Sequence, residues 1–291
     1  MNGLMPKLDF YLDSSNMQRI SQAISGNRRL IKRQLFEPKS LDIFVLNLNK
    51  PELVEQIIQG LGEAHSLFAS NGFKLNAYIG DTGSTDPKTI ALLNNAPTFL
   101  NVSWFDSYNF SRSNNDLFEL GKSEFSLFLN NDVLIKDNPS SILRVLELMN
   151  SDSSIGAASA VLNFPDGSLQ HGGIDFFRNV ELRGFPYHPH ANKRWEHSVG
   201  FSFRAMAGTG AFLMVRSAEF ANVNGFNESY QAECQDVELC LEFARRGFET
   251  HVVDTGSLVH LENATRPTGE ENWPDRRLFM RSWASFIEAT Q

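Results

Sequence analysis

Two amides and a carboxylate, Asn130, Asn131 and Asp132, directly follow the largely apolar run Phe125–Leu129. A short apolar run without alternation is typical of a strand buried on both faces in the middle of a parallel sheet. In open α/β sheets, ligands bind outside the carboxyl ends of the strands. A carboxylate flanked by amide oxygens at that edge suits a hard divalent cation that holds phosphate groups. The alternative is an ordinary polar turn, since Asn and Asp are common turn residues.

A second polar turn, Gly80–Pro87, follows the predicted strand Leu75–Ile79. Because it also ends a strand, we expect it at the same edge of the sheet. Asp81 is placed there to accept hydrogen bonds from a base or a ribose, as acidic residues do in other nucleotide sites. The alternative is a loop whose residues serve turn chemistry alone.

Arg112 lies in the first turn of a predicted helix that follows the predicted strand Phe99–Phe105. A guanidinium group binds phosphate oxygens in a bidentate manner, which makes Arg112 a candidate phosphate contact. A surface arginine without a ligand is an equally good interpretation.

The second half of the chain offers three more candidates. Gly210 belongs to a glycine-containing segment inside the predicted strand Arg204–Val215, where glycines mark either the close approach of a ligand or a bulge. Asp236 opens a predicted helix, where its simplest role is that of an N-cap. His260 follows the last predicted strand, Phe248–Val253, where a structural histidine is the simplest interpretation.

The long loop 178–203 carries exposed aromatic residues and histidines, which suggest a binding surface or a lid. The spacing of its histidines, His188, His190 and His197, is irregular and argues against a metal site.

The elements that must position these residues alternate between strands and helices from Leu41 to Met149. Such alternation predicts a parallel sheet with crossover helices. The second half is mixed, with predicted strands at Ile155–Phe164 and Ser168–Phe177 and a terminal helix at Arg276–Ile287. The fold class predicted is therefore α/β, with a Rossmann-like, mostly parallel central sheet flanked by helices and a mixed C-terminal half.

The composition of the chain argues against some classes of function. The 291 residues carry a formal net charge of −8, which argues against a nucleic-acid binder. The two cysteines form neither a zinc motif nor a disulfide framework, and they fit a reducing, cytoplasmic compartment. We expect no signal peptide and no membrane span.

Residues 1–40 do not share the α/β pattern and are expected to form a helical extension to one domain over residues 41–291. A helix is predicted between Met17 and Phe36, with a basic cluster at Arg28, Arg29, Lys32 and Arg33. The cluster is either a contact with anionic lipid or a neighbouring domain, or the solvated face of a helix packed on the main domain. The second interpretation is favoured.

Several motifs occur together in one order. The chain resembles the family 2 glycosyltransferases of the GT-A fold, especially bacterial ones that build surface polysaccharides. The resemblance extends from Leu41 to the terminal helix. It rests on the segments Asp81–Asp86, Phe110–Asn115, Leu129–Val133, Pro165–Gly173, Gly208–Ala211, Gly225–Glu228 and Gln235–Cys240.

The resemblance implies a role for each matched residue. Asp81 would contact the nucleoside of the donor, and Asp132 would hold the Mn²⁺ or Mg²⁺ ion that bridges the donor diphosphate. His260 matches a late histidine that can join the metal as a protein ligand. Asp236 matches the general base. Arg112, Asn130, Asn131 and Gly210 complete the expected donor site.

Two departures from the family pattern stand out. Asn130 occupies the position of the first Asp in the family's Asp-x-Asp motif, and Gln235 replaces the usual Glu before the base. These departures keep open a catalytically silent subunit that binds a nucleotide sugar or a glycan within a polysaccharide assembly complex. A sugar nucleotidyltransferase is disfavoured, because Asn47–Pro51 lacks the glycine-rich basic loop of those enzymes.

The leading expectation is an inverting, metal-dependent hexosyl- or deoxyhexosyltransferase of O-antigen-like or capsule-like biosynthesis. Residues 41–138 would bind the nucleotide-sugar donor, and residues 139–291 would bind a glycan or lipid-linked acceptor. We expect a cytoplasmic location, with peripheral membrane contact through the N-terminal basic cluster as an extension of this hypothesis.

Overall fold

The structure is a computed structural model that describes residues 28–31, 34–178, 184–262 and 272–290. Helices and strands alternate through the first half, and short strands dominate the second. The helices are α1 (Pro51–Ser70), α2 (Pro87–Asn94), α3 (Phe110–Phe118), α4 (Ser140–Ser151), α5 (Ser217–Asn222), α6 (Gln235–Arg245) and α7 (Trp273–Thr290). The strands are β1 (Glu37–Asn47), β2 (Lys74–Asp81), β3 (Leu100–Trp104), β4 (Ser123–Asn130), β5 (Ile155–Ala160), β6 (Leu162–Asn163), β7 (Leu169–His171), β8 (Asp175–Phe176), β9 (Pro186–Tyr187), β10 (Ser202–Ala205), β11 (Phe212–Arg216) and β12 (Glu249–Val253).

The first four strands are parallel to one another, as predicted: β1 pairs with β2 and β4, and β2 pairs with β3. Local signals in the sequence begin the connecting helices. Pro51 opens α1, where its missing N–H group costs nothing. Asp86 and Asn109 cap α2 and α3 by accepting hydrogen bonds from the N–H groups of Thr89 and Arg112.

The central sheet has eight strands in the order β10-β12-β5-β11-β4-β1-β2-β3. β11 lies between β4 and β5 and is antiparallel to both, while β12 is parallel to β5. Side chains of β4 are buried on both faces: Leu127 and Leu129 pack in one core cluster, and Phe128 packs in the other. The predicted fold class, a mostly parallel α/β sheet with a mixed second half, is confirmed.

The single strand predicted over Arg204–Val215 is wrong. The structure has two strands, β10 and β11, and the glycine-containing segment lies between them. The backbone N–H groups of Gly208, Thr209 and Gly210 donate to Cys240 Sγ, Ser159 Oγ and Asp236 Oδ2, respectively. Because side chains take these donors, the segment leaves the strand ladder.

The helix predicted across residues 17–36 is absent over 28–31 and 34–36, which form neither helix nor strand. β1 begins at Glu37 rather than Leu41. Ion pairs with the domain hold this segment in place of helical hydrogen bonds: Arg28 pairs with Glu238, and Arg29 pairs with Asp116 at 2.6 Å.

The rest of the predicted extension, residues 1–27 with Lys32 and Arg33, lies outside the described residues. Among the helices that the structure describes, none combines the length and apolar character needed to cross a membrane.

Candidate active site

A cavity of about 390 Å³ opens at the carboxyl end of β4 and gathers residues from both halves of the chain. Strand β4 and the turn after it supply the polar triplet that the sequence singled out. The loop before β11, the start of α6 and the segment after β12 supply the other predicted site residues that line it. Six of the eight predicted site residues line this cavity: Asn130, Asn131, Asp132, Gly210, Asp236 and His260.

Asp132 and His260 meet although 128 positions separate them. An isolated antiparallel bridge joins Val133 to His260, and the N–H group of Leu261 donates to the Asp132 carbonyl at 3.0 Å. These backbone contacts bring Asp132 Oδ1 to 3.1 Å from His260 Nε2. Asn130 Nδ2 lies 3.5 Å from the same ring nitrogen.

Gln170 orients the ring of His260. Its Oε1 lies 2.7 Å from His260 Nδ1, and its Nε2 donates to the His260 carbonyl at 3.4 Å. Because the amide nitrogen is committed to that carbonyl, Oε1 accepts a hydrogen bond from Nδ1–H. The neutral ring then has a lone pair on Nε2, which is the tautomer that a metal ligand requires.

This arrangement fits a divalent cation. In the neutral ring, an acceptor nitrogen of His260 faces an acceptor oxygen of Asp132, and two lone pairs at 3.1 Å need a positive charge between them. Within the described ranges, no cluster of three or more His, Cys, Asp or Glu side chains is arranged to hold a metal. Asp132 and His260 would therefore supply two protein ligands and leave coordination positions for ligand oxygens.

We expect Gln170→Leu to weaken Mn²⁺ binding by about 10- to 100-fold, the usual effect of losing the partner that orients a histidine ligand. Gln170→Glu keeps an acceptor for Nδ1–H and should retain most of the affinity. Titration of Mn²⁺, followed through the electron paramagnetic resonance signal of the free ion, measures both. Equal affinities for the Leu variant and the wild type would contradict the assigned role of Gln170.

Asp236 reaches the cavity from the first turn of α6. The N-cap of this helix is Cys234, in the left-handed region at φ 66°, so the N-cap role considered for Asp236 is wrong. Its Oδ2 accepts from the Gly210 N–H group at 2.6 Å, and its Oδ1 accepts from the Val237 N–H group at 2.8 Å. Each oxygen retains a second lone pair, so the carboxylate can still accept a proton.

Gly210 allows this close approach. A Cβ atom at position 210 would lie 3.3 Å from Asp236 Oδ2 and 3.2 Å from the ring of Phe110. The glycine therefore places a backbone donor directly against the carboxylate.

The loop before α6 is held by Asp275, a residue that sequence analysis missed. This buried carboxylate of α7 accepts hydrogen bonds from the N–H groups of Gln231, Ala232 and Glu233 at 2.8–3.2 Å. Glu233 also pairs with Arg276 at 2.6 Å. Helix α7 thereby fixes the segment that leads into Asp236, and no local motif could have revealed a contact across more than 40 residues.

Replacing Asp275 by alanine should lower the free energy of unfolding by about 3 kcal/mol, because three backbone donors lose a charged acceptor. Asp275→Asn keeps one acceptor oxygen and should lose less. Urea denaturation followed by circular dichroism measures both variants. An alanine variant as stable as the wild type would show that the loop finds other acceptors.

Asp81 is fully buried and does not line the cavity. Its Oδ1 accepts from the N–H groups of Gly83 and Ser84, and its Oδ2 accepts from Ser84 Oγ and Asn47 Nδ2. Asn47 Oδ1 in turn accepts from Asn131 Nδ2 at 2.9 Å. The observed role of Asp81 is to hold its own turn and, through Asn47, the residue next to Asp132. Its contact with a nucleoside stays a prediction.

Arg112 also lies outside the cavity. Its side chain is 67% exposed, and Nε lies 3.5 Å from Glu228 Oε2. Its contact with phosphate stays a prediction.

The loop histidines do not converge. His188 lines the cavity, where its Nδ1 lies 3.1 Å from Nδ1 of the buried His171. His197 instead pairs with Asp254 at 2.8 Å. Sequence analysis gave no role to His171, which follows Gln170 in the segment Pro165–Gly173.

Comparison with curated proteins finds a relative over most of the chain. The chain is 27% identical over 239 residues to the O-antigen biosynthesis protein RfbC of Myxococcus xanthus, a match that covers 78% of this chain and 18% of RfbC. The chain spans about a fifth of the length of the curated relatives it matches. No protein-family model matches it.

Solved structures match more completely. GalNAc-T7 with UDP, GalNAc and Mn²⁺ has a TM-score of 0.61 and 10% identity, over 94% of this chain and 56% of its own. The mannosyltransferase PcManGT from Pyrobaculum calidifontis, in complex with GDP-Man and Mn²⁺, has a TM-score of 0.57 and 15% identity, over 93% of this chain and 70% of its own. Both are GT-A glycosyltransferases. The chain has the GT-A fold.

A 51-residue stretch, 18% of this chain, is also 37% identical to the rhamnosyltransferase WbbL of Escherichia coli, over 19% of WbbL. The two named relatives and the GT-A fold together confirm the resemblance of this GT-A domain to bacterial surface-polysaccharide glycosyltransferases. Its cavity lies where ligands of open α/β sheets bind, at the carboxyl end of a central strand. Asp132 and Asp236 come from opposite halves of the GT-A domain and face this one cavity.

Proposed function

We propose that this GT-A domain is an inverting, metal-dependent glycosyltransferase that moves a sugar from a nucleotide-diphosphate sugar to a hydroxyl group of an acceptor. The observation that carries the proposal is that the Asp132–His260 pair and the Asp236 carboxylate line a single cavity. The names of the similar proteins, which include a mannosyltransferase bound to GDP-Man and Mn²⁺, support it.

The charge of the cavity favours a metal requirement. Among the described residues that line the cavity, one carries a guanidinium group, Arg276, and it pairs with Glu233. Four carry carboxylates, namely Asp132, Glu233, Asp236 and Glu262. The net negative charge of this lining repels a diphosphate that enters the cavity. A divalent cation held by Asp132 and His260 would neutralise the phosphate oxygens and stabilise the negative charge that develops on the leaving group.

Asp236 would act as the general base. In the step proposed, the acceptor oxygen bonds to the anomeric carbon while the bond from that carbon to the phosphate oxygen breaks. The hydroxyl proton passes to Asp236, and the nucleoside diphosphate leaves with the electron pair. Attack on the face opposite the leaving group inverts the anomeric centre. The Gly210 and Val237 N–H groups fix the orientation of the carboxylate.

The comparison with RfbC supports a proposal for the class of acceptor. We propose a glycan or a lipid-linked glycan of O-antigen-like or capsule-like biosynthesis as acceptor, with a hexose or a deoxyhexose as the transferred sugar. The proposed location is the cytoplasm, at the inner face of the membrane. In this structure Arg28 and Arg29 form ion pairs with the domain, so they do not support membrane contact through the basic cluster.

A panel of UDP-, dTDP- and GDP-sugars, tested with Mn²⁺ and with EDTA, tests the proposal. A nucleotide sugar at 100 times its Kd should stabilise the protein by about 2.7 kcal/mol, only with metal, and should be slowly hydrolysed. Asp132→Ala should abolish both effects. Binding without hydrolysis would favour the silent binding subunit, and no binding to any nucleotide would contradict the transferase.

A further inference from the structure

Two neighbouring residues of β7 serve two different histidines of the cavity. Gln170 contacts His260, whereas His171 contacts His188 through the two Nδ1 atoms at 3.1 Å. His171 is buried, and its Nε2 has no hydrogen-bond partner among the residues that the structure describes. His188 is exposed to the cavity and follows β9, which pairs with β8.

The surroundings of both rings favour the neutral form. Burial lowers the pKa of His171 well below its ordinary value, and the nearby His188 lowers it further. Desolvation of the ring by the surrounding protein lowers the pKa of His188, although the carboxylates of Asp236 and Glu262 oppose that change. Between two neutral rings one Nδ1 donates and the other accepts, so two arrangements exist.

The surrounding residues favour one of these two arrangements. If His188 donated, the buried Nε2 of His171 would carry a hydrogen without an acceptor, and orphaned buried N–H groups are rarer than orphaned acceptors. His188 would also direct a lone pair toward a region that Asp236 and Glu262 make negative. If His171 donates, both conflicts disappear, and His188 carries its hydrogen on Nε2.

We propose that His188 is a sugar-binding residue, whose Nε2–H group, held in this tautomer by His171, donates a hydrogen bond to a hydroxyl group of the sugar beside Asp236. The inference rests on the proposed function. A neutral donor among carboxylates suits an uncharged hydroxyl, and the cavity also presents the aromatic side chains Phe185 and Tyr187. Such rings can pack on the apolar face of a sugar.

The tautomer is tested without any ligand. Long-range ¹H–¹⁵N correlation spectra of protein labelled at histidine distinguish protonated from unprotonated ring nitrogens. We expect a protonated Nε2 and an unprotonated Nδ1 for His188, with the opposite pattern for His171. The variant His171→Phe has an aromatic ring at this position but no N–H donor. In this variant the two ring nitrogens of His188 should no longer show a single protonation pattern. An unprotonated Nε2 on His188 in the wild type would overturn the proposal.

Two substitutions test the sugar contact. His188→Leu removes the donor, while His188→Gln places an amide N–H group near the position of Nε2. Loss of one neutral hydrogen bond should weaken sugar binding about five- to tenfold in the Leu variant, and the Gln variant should recover most of that loss. Thermal denaturation confirms that both variants are folded.

A comparison of ligands distinguishes a contact with the donor sugar from a contact with the acceptor sugar. UDP-glucose, GDP-mannose and dTDP-rhamnose are compared with their nucleoside diphosphates, and methyl glycosides are titrated with nucleotide and Mg²⁺ present. Weaker nucleotide-sugar binding with unchanged nucleotide binding assigns the contact to the donor sugar. Weaker methyl glycoside binding assigns it to the acceptor sugar. Unchanged affinities in both series overturn the contact, whereas a wild type that binds no nucleotide defeats the proposed function and leaves the tautomer result standing.

Discussion

Replacing Asp236 by asparagine is expected to lower the rate of sugar transfer by about 10²- to 10⁴-fold, the usual contribution of a positioned general base. The amide has nearly the same shape but cannot take the acceptor proton. Affinity for the nucleotide sugar should change little, because Asp132 and His260 are untouched. Initial rates at saturating donor and the thermal shift with donor separate the two effects.

The asparagine variant also loses one acceptor oxygen. The Gly210 and Val237 N–H groups each use a different oxygen of Asp236, so one of them loses its partner. We expect a loss of about 1–3 kcal/mol in the free energy of unfolding. Rates must therefore be measured well below the melting temperature. Asp86→Asn is the matched control, because it makes the same chemical change at the start of α2, outside the cavity. A rate above a tenth of the wild type for Asp236→Asn would exclude it as the base.

Replacing Arg28 by methionine is expected to cost about 3–5 kcal/mol of the free energy of unfolding, the range seen when one partner of a buried ion pair is removed. The side chains of Arg28 and Glu238 are 8% and 1% exposed, and Arg28 also donates to the carbonyls of Val223 and Gly225. Without Arg28, the Glu238 carboxylate stays buried without its cationic partner, beside Asn227 and Glu242. Urea denaturation at pH 8 measures the loss.

Two further measurements separate the buried charge from lost packing. The double variant Arg28→Met with Glu238→Met should regain most of the loss, since an apolar pair of similar volume replaces the ions. Burial raises the pKa of Glu238, and Arg28 partly opposes this. In Arg28→Met the folded pKa therefore rises further above the unfolded value of about 4.3. Stability is then lost as the pH rises through that interval, so the variant should lose less at pH 5 than at pH 8. A loss below 1 kcal/mol at both pH values would contradict the prediction.

The sequence predicted best what neighbouring residues determine. Pro51 and the cap at Asp86 begin their helices by local chemistry, and an apolar run identified β4 because a central strand is buried on both faces. The position of Asp132 at the ligand edge follows from the end of that strand. For this reason the first half of the sheet and the positions of Asn130, Asn131 and Asp132 were predictable from neighbouring residues. The site roles of Gly210, Asp236 and His260 came from the family resemblance instead.

The features that depend on residues far away in the sequence were not predicted. The segment containing Gly208 and Gly210 has the composition of a strand, but Cys240 and Asp236 take its backbone donors. Helical periodicity before residue 37 was misleading, because ion pairs with Glu238 and Asp116 hold that segment. Gln170, His171 and Asp275 act on residues that are 17 to 90 positions away.

The pairing of strands that are distant in sequence also delays completion of the central sheet while the chain is synthesised on the ribosome. β1, β2, β3 and β4 can pair as soon as residue 130 has emerged, but β4 is then an edge strand of apolar sequence whose backbone N–H and C=O groups lack partners on one side. Its second neighbour, β11, begins at Phe212, which is 82 residues later. At a synthesis rate of roughly 5–20 residues per second, that edge stays open for about 4–16 s. An exposed apolar edge is a template for wrong pairing, so the nascent chain should bind chaperones in this interval and release them when β11 closes the sheet.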